Sequence, residues 1–276
     1  MKGKVRRKIL HRIFIAICLF IALAPIYWML NTSLKSEAEI YLKVPTMWPK
    51  APTLEAYRYL LTETNFLNGI KNSLIVAGFV SLFSIFVAYP AAYVLARMTF
   101  KGKRFFSKTV LFTYLLPTSV LYIPLYIFVA KLGLTNTIWG IMLIYPTFTL
   151  PYVAWILIPH IASISTALEE AAYIDGCSKF QTMYRIIFPL ALPGIISTTI
   201  FAFAMCWGEY LYALVNLVSK EVQTFPLILS GLIFGDMPPW NQLMAGAILA
   251  SVPILVIYLL ASSSLVGGAT AGGVKE

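Results

Sequence analysis

Six long apolar runs constrain this chain more than any other feature of its sequence. Each run is about as long as a helix must be to cross a bilayer, which takes roughly 20 residues. Hydrophobic residues make up 59% of the chain and charged residues 12%, a composition that excludes a water-soluble globule. The sequence therefore predicts an all-α integral membrane protein with six transmembrane helices. The runs cover residues 13–30, 70–96, 109–130, 137–159, 190–215 and 241–266.

The distribution of basic residues predicts how these helices are oriented. Residues 1–12 form a basic arm, and residues 97–108 contain five basic residues and no acidic residue. If both lie inside together with residues 163–189 and 267–276, fourteen of the 21 lysines and arginines are inside, and the other seven are on the outer side when Lys71, at the outer end of the second run, is counted there. This excess obeys the positive-inside rule. We therefore expect both termini in the cytoplasm and the polar segment 31–69 outside.

Composition also argues against several other classes of function. The net charge of +10 does not indicate a nucleic-acid partner, because the basic residues lie at the ends of apolar runs. The cysteines and histidines lack the spacing of a disulfide framework or a metal site, so we expect no bound metal. These residues are Cys18, Cys177, Cys206, His11 and His160.

The first apolar run has an alternative interpretation as a secretory signal peptide. It follows a basic arm, and Ala22 to Ala24 imitate a cleavage site. Pro25 comes directly afterwards, and the apolar character continues through Trp28. These features favour an uncleaved first helix. We therefore assign residues 13–266 to one transmembrane domain of six helices.

One polar stretch between the fourth and fifth runs, residues 163–189, carries the signals of two short helices. Thr166 is expected to cap the first helix, with Glu169 reaching back to the amide of the cap. Ser178 and Gln181 repeat this pairing at the start of the second helix. The stretch therefore predicts a helix-turn-helix, which we call the elbow.

The turn and the surface of the elbow can also be predicted. Gly176 lies between the two helices, where a left-handed backbone is easiest for glycine, and Pro189 is expected to close the second helix. Such a flat, acidic first helix is suited to docking, although a solvated loop of no special role is an alternative. The small and acidic residues of this helix are Glu169, Glu170, Ala171, Ala172 and Asp175.

The elbow resembles the EAA loop of permease subunits of ABC importers. Phe188 stands where that family usually has leucine, which exchanges one apolar residue for another. The resemblance implies that the matching residues, together with Glu169 and Asp175, couple the chain to ATPase subunits. The matching residues are Glu170, Ala171, Ala172, Gly176, Ile186 and Pro189.

The likeness extends over most of the chain and is to sugar-importing permeases related to the maltose system. It includes Asn72 to Leu74, Trp207 to Glu209 and the closing segment 270–275. Ser262 to Ser264 depart from the family, which often has a glutamine, a basic residue and an aromatic residue there. The resemblance implies the fold of a type I ABC importer permease, with the elbow as its cytoplasmic coupling loop.

The same resemblance implies a set of partners. A second homologous permease would complete the pathway, and two ATP-binding subunits would dock on the elbows. An external solute-binding protein would deliver a sugar, which we expect to be a di- or oligosaccharide. ATP and Mg²⁺ are expected on the ATPase subunits, so this chain should have no cofactor and no catalytic residue. The expected location is the lipid bilayer of a prokaryotic plasma (inner) membrane.

Glu209 is the one clear ionisable residue inside the apolar runs. Charged groups within a bilayer usually mark a pathway or a relay. With Trp207 and Tyr210, Glu209 is a candidate for lining the sugar path, because aromatic rings stack on sugars and a carboxylate accepts hydrogen bonds from hydroxyls. The alternative is an interface belt, in which tryptophan and tyrosine are common on ordinary grounds.

Other functions stay open at this point. A secondary transporter or channel would work alone and would be expected to carry more ionisable groups or repeated half-structures. A membrane-embedded enzyme would need a cluster of catalytic polar groups, and the sequence has none. It also has no glycine-rich phosphate loop with a lysine, so an ATP-driven system would need separate ATPases. A permease for another polar solute, such as a glycerol phosphate, is a further alternative.

Overall fold

Helices make up all the regular secondary structure in the described part of the chain. The computed structural model describes the backbone of residues 2–271 and the side chains of residues 7–261. A 3₁₀ turn at Thr118–Leu121 and a π-helical segment at Thr182–Ile187 interrupt the α-helices. The α-helices are α1 Lys2–Ser33, α2 Glu37–Ile40, α3 Glu55–Thr62, α4 Phe66–Arg97, α5 Lys103–Leu115, α6 Tyr122–Lys131, α7 Ile138–Ile144, α8 Pro146–Ala162, α9 Ala167–Ile174, α10 Lys179–Gln181, α11 Phe188–Trp207, α12 Leu211–Asn216, α13 Phe225–Ser230 and α14 Trp240–Ala271.

Five spans lie among the described residues, or six, the number that the sequence predicts, if one bent pair of helices is counted as a single span. Five helical segments are long and apolar enough to cross a bilayer by themselves. The sixth is the pair of segments Lys103–Leu115 and Thr118–Lys131, which are bent by 91° where they meet. Pro117 lies in this bend, where a proline, lacking an amide hydrogen, interrupts the helical ladder. The single segments are Arg7–Ser33, Phe66–Arg97, Ile138–Ala162, Lys179–Trp207 and Trp240–Ala261.

The predicted ends of several spans differ from the observed helix ends. The basic stretch 97–108 is not one loop, because α4 runs to Arg97 and α5 begins at Lys103. Gly102 makes this short connection possible with a backbone φ of +92°. The polar segment 31–69 is also shorter than predicted, because α1 continues to Ser33 and α4 starts at Phe66. Hydrophobicity marks where the bilayer lies, whereas a helix can continue into water beyond it.

The chain divides into two compact units, one of Met1–Leu67 with Ile228–Val252 and the other of Asn68–Leu227 with Pro253–Glu276. In the second unit, buried side chains of α4, α8 and α11 form the core. A buried hydrogen bond of 2.7 Å joins the hydroxyls of Ser84 and Thr149 within this packing. The core includes Ala88, Tyr89, Ala92, Tyr93, Val153, Leu157, Ile161, Ile187, Ala191 and Ile195.

Close packing between α8 and α11 depends on one glycine. A Cβ added to Gly194 would stand 2.2 Å from the imidazole of His160, far inside van der Waals contact. The sequence does not predict a contact between these two residues. The two helices approach this closely only because Gly194 has no side chain.

Asn136 connects the segment before α7 to the segment after α12. Its backbone has a φ of +57°, a left-handed conformation that asparagine tolerates better than most residues. Its side-chain oxygen accepts hydrogen bonds from the amides of Val218 and Ser219 at 2.9 and 2.8 Å. The backbone amide of Asn136 donates a hydrogen bond of 2.8 Å to the backbone carbonyl of Asn216. One residue therefore supplies polar partners for two irregular stretches.

Asn72 and Ser73, two of the residues that carry the family resemblance, hold the segment before α13. The side-chain amide of Asn72 donates to the carbonyls of Glu221 and Gln223 at 2.9 and 3.0 Å. The hydroxyl of Ser73 accepts a hydrogen bond of 3.1 Å from the amide of Phe225. These bonds give a structural reason for polar residues near the start of an apolar helix.

In the first unit, Glu39 organises the polar segment between α1 and α3. Its carboxylate accepts hydrogen bonds from the hydroxyl of Thr46 at 2.5 Å and from the amide of Lys50 at 3.0 Å. The hydrogen bond from Thr46 is the main reason why the pKa of the Glu39 carboxyl is lowered from its ordinary value. The hydroxyl of Tyr41 donates to the carbonyl of Pro238 at 2.7 Å, which connects this segment to the approach to α14.

Candidate functional site

The elbow, residues 163–189, is the candidate site because it combines an exposed helix with a fixed turn. Its first arm is α9, Ala167–Ile174, and its second arm begins at α10, Lys179–Gln181. The two arms are joined by the turn at residues 175–178. The predicted helix-turn-helix is therefore present in the structure.

The turn between the arms has the predicted chemistry. Gly176 has a φ of +84°, the left-handed conformation that a side chain would disfavour. The hydroxyl of Ser178 accepts a hydrogen bond of 3.3 Å from the backbone amide of Gln181. In return, the side-chain oxygen of Gln181 accepts one of 2.8 Å from the backbone amide of Ser178. This reciprocal pair is the predicted capping box. The turn and the start of the second arm are therefore fixed by local sequence.

The predicted capping box of the first arm is wrong. Among the described side chains, that of Thr166 makes no capping hydrogen bond, and its backbone is already helical. The hydroxyl of Ser165 accepts from the amide of Ala167 at 3.3 Å instead. Glu169 faces inward and is 6% exposed. A buried carboxylate needs a charged partner, and that need outweighs a hydrogen bond to an exposed amide.

The partners of Glu169 come from the end of α4. Its Oε1 lies 2.7 Å from Nε of Arg97 in an ion pair, and its Oε2 accepts a hydrogen bond of 3.1 Å from the hydroxyl of Tyr93. The guanidinium of Arg97 also donates to the backbone carbonyl of Ile164. The first arm is thus attached to α4 by charge and by directed hydrogen bonds.

The second arm is attached to the same face of α4. The hydroxyl of Tyr89 donates a hydrogen bond of 2.7 Å to the carbonyl of Met183. Tyr89, Tyr93 and Arg97 are spaced four residues apart, so they lie along one side of the helix. The sequence patterns above do not predict a contact between any of these three residues and the elbow. The signal that could identify them is two tyrosines inside the second apolar run and an arginine directly after it, spaced four residues apart.

Pro189 does not close the second arm, contrary to the prediction. The chain stays helical from Lys179 to Trp207, through α10, the π-helical segment and α11. Proline cannot donate the hydrogen bond of an α-helical turn. The π-helical segment just before it already departs from that bonding pattern, so the helix continues without a break. The second arm is therefore the beginning of the fifth span.

The outer face of the elbow combines acidic and large apolar side chains. Glu170, Ala171, Asp175, Gly176 and Pro189 are exposed, whereas Ala172 is buried and Ile186 is half-buried. An exposed apolar group flanked by charge is typical of a surface that another protein covers. The exposed apolar side chains are Leu168, Tyr173, Ile174 and Phe180, of which Ile174 is 86% exposed.

A cavity of about 520 Å³ lies between the first arm and the end of α4. The ion-paired residues Arg97 and Glu169 line it, together with Thr166, Tyr173 and Lys179. This side of α9 therefore has open space beside it. The polar contacts described above hold α9 where side-chain packing is incomplete.

Glu209, the second candidate site, lies in the break after α11. Its carboxylate accepts hydrogen bonds from the hydroxyl of Tyr145 at 2.8 Å and from the amides of Tyr212 and Ala213 at 2.8 and 3.2 Å. The fifth span therefore ends earlier than predicted, at Trp207, and the short helix α12 follows. Glu209 caps that helix, because its oxygens satisfy amides of the first turn.

The aromatic neighbours of Glu209 differ in their surroundings. Trp207 is 3% exposed and stacks on Phe203 with ring centroids 5.5 Å apart, while Tyr210 is half-buried. The ring centroid of Phe225 lies 4.8 Å from that of Trp207. The role of Trp207, Glu209 and Tyr210 as a sugar contact stays a prediction.

Among the described side chains, no group of three or more histidine, cysteine, aspartate or glutamate residues could hold a metal ion. What the elbow offers is a surface for another protein, with a fixed turn and two arms bound to one helix.

Comparison with known proteins identifies the kind of chain to which this elbow belongs. Residues 81–267 match the family described as "Binding-protein-dependent transport system inner membrane component". The chain belongs to this family. This permease is 35% identical over 263 residues to the diacetylchitobiose uptake system permease protein DasC of Streptomyces coelicolor, covering 94% of this chain and 95% of the relative.

A second relative of this permease is similar over its whole length. The trehalose/maltose transport system permease protein MalG of Thermococcus litoralis is 32% identical over 280 residues, covering 100% of this chain and 99% of the relative. These relatives confirm the resemblance to ABC importer permeases that the elbow motif indicates.

Solved structures confirm the fold of this permease. A chain of a bacterial ABC transporter that imports alginate superposes with a TM-score of 0.78 at 21% identity, covering 95% of this chain and 98% of that one. A chain of the MetNI methionine ABC transporter gives a TM-score of 0.61 at 16% identity, covering 74% of this chain and 95% of that one. The permease is thus an all-α, multi-pass membrane protein with an ABC importer fold.

Proposed function

We propose that this permease forms half of the translocation pathway of an ATP-driven importer for a di- or oligosaccharide. The observation that carries the proposal is the elbow, whose exposed acidic and apolar face lies on two arms held by a left-handed turn. The substrate class is supported by the names of relatives that transport diacetylchitobiose and trehalose or maltose.

The proposed partners follow from what the chain provides. A second, homologous permease completes the pathway, and two ATP-binding subunits hold ATP and Mg²⁺ and cover the elbows. An external solute-binding protein delivers the sugar. The exposed Ile174 and Phe180, with Glu170 and Asp175 beside them, are the side chains we assign to the contact with an ATPase. The apolar part of such a surface is costly to leave in water, and the charges beside it favour a partner of complementary charge.

In this proposal the elbow and both termini face the cytoplasm. The support is the charge distribution, with fourteen lysines and arginines on the proposed inner side and seven on the outer. The membrane is the plasma (inner) membrane of a prokaryote. The segment between α1 and α4 is then outside, where the binding protein docks.

The proposed mechanism is a two-state one. Closure of the ATPases on ATP shifts the elbows, and the pathway changes from one access state to the other. Because the second arm continues as the fifth span, a displacement of the elbow reaches that span without a flexible linker. This chain needs no contact with ATP and performs no chemical step.

The proposed sugar contact lies at residues 207–212, where α11 ends and α12 begins. A broken helix is tolerated in a membrane where it lines a pathway. Trp207, Glu209 and Tyr210 supply aromatic faces and an acceptor at this break. Tyr145 and Tyr212 are buried directly behind this break, where the hydroxyl of Tyr145 donates to Glu209.

Purification in mild detergent followed by reconstitution tests the proposal. We expect an ATPase subunit to copurify near 1:1 with this chain, and uptake of sugar into proteoliposomes to require ATP and the binding protein. The chain by itself should transport nothing. Uptake without an ATPase would contradict the proposal and would favour a secondary transporter or a channel. Binding of a series of sugars and of glycerol phosphates to the external binding protein tests the substrate class.

A further inference from the structure

The ion pair between Arg97 and Glu169 is nearly closed to solvent. The two side chains are 9% and 8% exposed, and the atoms Nε and Oε1 lie 2.7 Å apart. Removing two charges from water is costly, so a buried pair is poor evidence of stabilisation. A pair of this kind is better explained by a requirement for one defined arrangement of the two helices that carry it.

We infer that Arg97 is a positioning residue for coupling, which fixes the first arm of the elbow to the end of α4. This inference rests on the proposed function. The guanidinium spans two groups of the elbow segment, the carboxylate of Glu169 and the carbonyl of Ile164. The two contacts use different nitrogens of one planar group, Nε and Nη2, whereas a lysine has a single nitrogen on a flexible stem. Displacement of α9 therefore displaces the end of the second span.

The cavity beside α9 explains why this attachment is polar. Thr166, Tyr173 and Lys179 line open space of about 520 Å³ on that side of the elbow. Apolar side chains packed there would hold α9 through shape. The apolar side chains of Val94, Met98 and Phe100 also line this space but leave it unfilled, so the polar contacts of Arg97 and Tyr93 define the position of α9 relative to α4.

The second arm, which continues as the fifth span, is also attached to α4 by a polar contact. Tyr89 donates to the carbonyl of Met183, which lies in the helix that continues as α11. Both arms are thus attached to one side of α4 through residues four positions apart. Movement of the elbow is expected to carry the second and fifth spans together as one body.

The test uses the complete transporter, with both permeases, the ATPases and the binding protein, in proteoliposomes. The quantity measured is the amount of sugar transported per ATP hydrolysed. For Arg97→Gln, we expect the ATPase to copurify as in the wild type and this ratio to fall about tenfold, a size common for coupling between sites. Glu169→Gln should do the same. An unchanged ratio in Arg97→Gln would overturn the inference.

A double-mutant cycle separates coupling through the pair from independent damage. If Arg97 acts through Glu169, the variant with both substitutions has about the same ratio as either single variant. Two losses that multiply would overturn the inference. Arg104→Gln is the matched control, because Arg104 is an exposed arginine at the start of the neighbouring helix α5, and its ratio should equal that of the wild type.

A milder variant covers the case in which Arg97→Gln does not assemble. Tyr93→Phe keeps the ion pair and removes only the hydroxyl that donates to Glu169. Its ratio should fall about two- to tenfold, and an unchanged ratio would overturn the inference. Failure of the proposed function would be seen in the wild-type complex, which would then transport nothing, whereas failure of the present inference would be seen only in the variants.

Discussion

The hydroxyl of Tyr145 donates a hydrogen bond of 2.8 Å to Oε2 of Glu209, so the junction of α7 and α8 is bound to the break after α11. The same carboxylate accepts from two amides at the start of α12. Glu209 therefore has a structural role whether or not it also meets the sugar. The two roles predict different responses to substitution.

Replacing Glu209 by alanine should lower the free energy of unfolding by about 2 kcal/mol, because a helix cap and a hydrogen bond to a charged group are lost together. Thermal denaturation of the purified complex measures this. Glu209→Gln keeps one acceptor oxygen and should be destabilised less.

Uptake of sugar by Glu209→Gln, measured at a temperature below the one at which this variant begins to unfold, tests the sugar contact itself. A direct contact predicts that this variant loses uptake although it is folded and inserted. Wild-type uptake by Glu209→Gln would contradict the sugar contact and leave the capping role alone.

Replacing Gly176 by valine should abolish transport and weaken copurification of the ATPase. The left-handed backbone at Gly176 costs a residue with a side chain about 1–2 kcal/mol. Space is not the cause, because a Cβ there would meet no atom within 4 Å that the structure describes outside its chain neighbours. Uptake and the recovered ratio of ATPase to permease are the measurements.

Gly78→Val is the matched control for the turn. A Cβ at Gly78 also has free space within 4 Å in the described structure, but Gly78 lies inside α4 without a left-handed backbone. It should assemble with the ATPase normally. Equal loss of ATPase in both variants would argue that the left-handed turn is not the cause.

Ser178→Ala and Thr166→Ala should differ in stability although both remove a hydroxyl from the elbow. Ser178 caps the second arm, and its loss should cost about 1 kcal/mol. Among the described contacts Thr166 makes no cap, so its loss should leave the unfolding transition nearly unchanged. The two variants are compared by thermal denaturation under one condition. Equal destabilisation would contradict the observed difference between the two caps.

Gly194→Ala should destabilise the packing of α8 against α11 by about 1–3 kcal/mol, since the new Cβ must displace the imidazole of His160. Thermal denaturation measures the effect. In the double variant with His160→Ala the displaced ring is gone, so most of the lost stability should return. A double variant as unstable as the sum of the two single variants would show that the close approach is not responsible.

The spans could be predicted from the sequence because the bilayer requires long apolar runs. Their ends could not be predicted as well, because helix ends depend on local backbone geometry. The connection between α4 and α5 ends at Gly102, a position that hydropathy does not distinguish from its neighbours. Pro189 predicts a helix end, but the π-helical segment before it allows the helix to continue. The loss of one amide at Pro189 is tolerated where the hydrogen-bonding pattern has already changed.

Within the elbow, predictions succeeded where the cause is local and failed where it is distant. Gly176 and Ser178 are governed by residues within a few positions, and both behave as predicted. The capping pattern predicts that Glu169 binds an amide three residues away, whereas its partners Tyr93 and Arg97 lie more than 70 positions earlier in the chain. A capping motif shows which bonds are possible but cannot show which competing partner folding brings closer.

The 91° bend in the third span has a consequence for how the protein is made. Helix α5 has 13 residues and α6 has 10, and each is well below the roughly 20 residues that one crossing requires. Neither piece can settle in lipid by itself as the ribosome delivers it. We therefore expect insertion of the third span to become stable only after the helices that follow have packed around it.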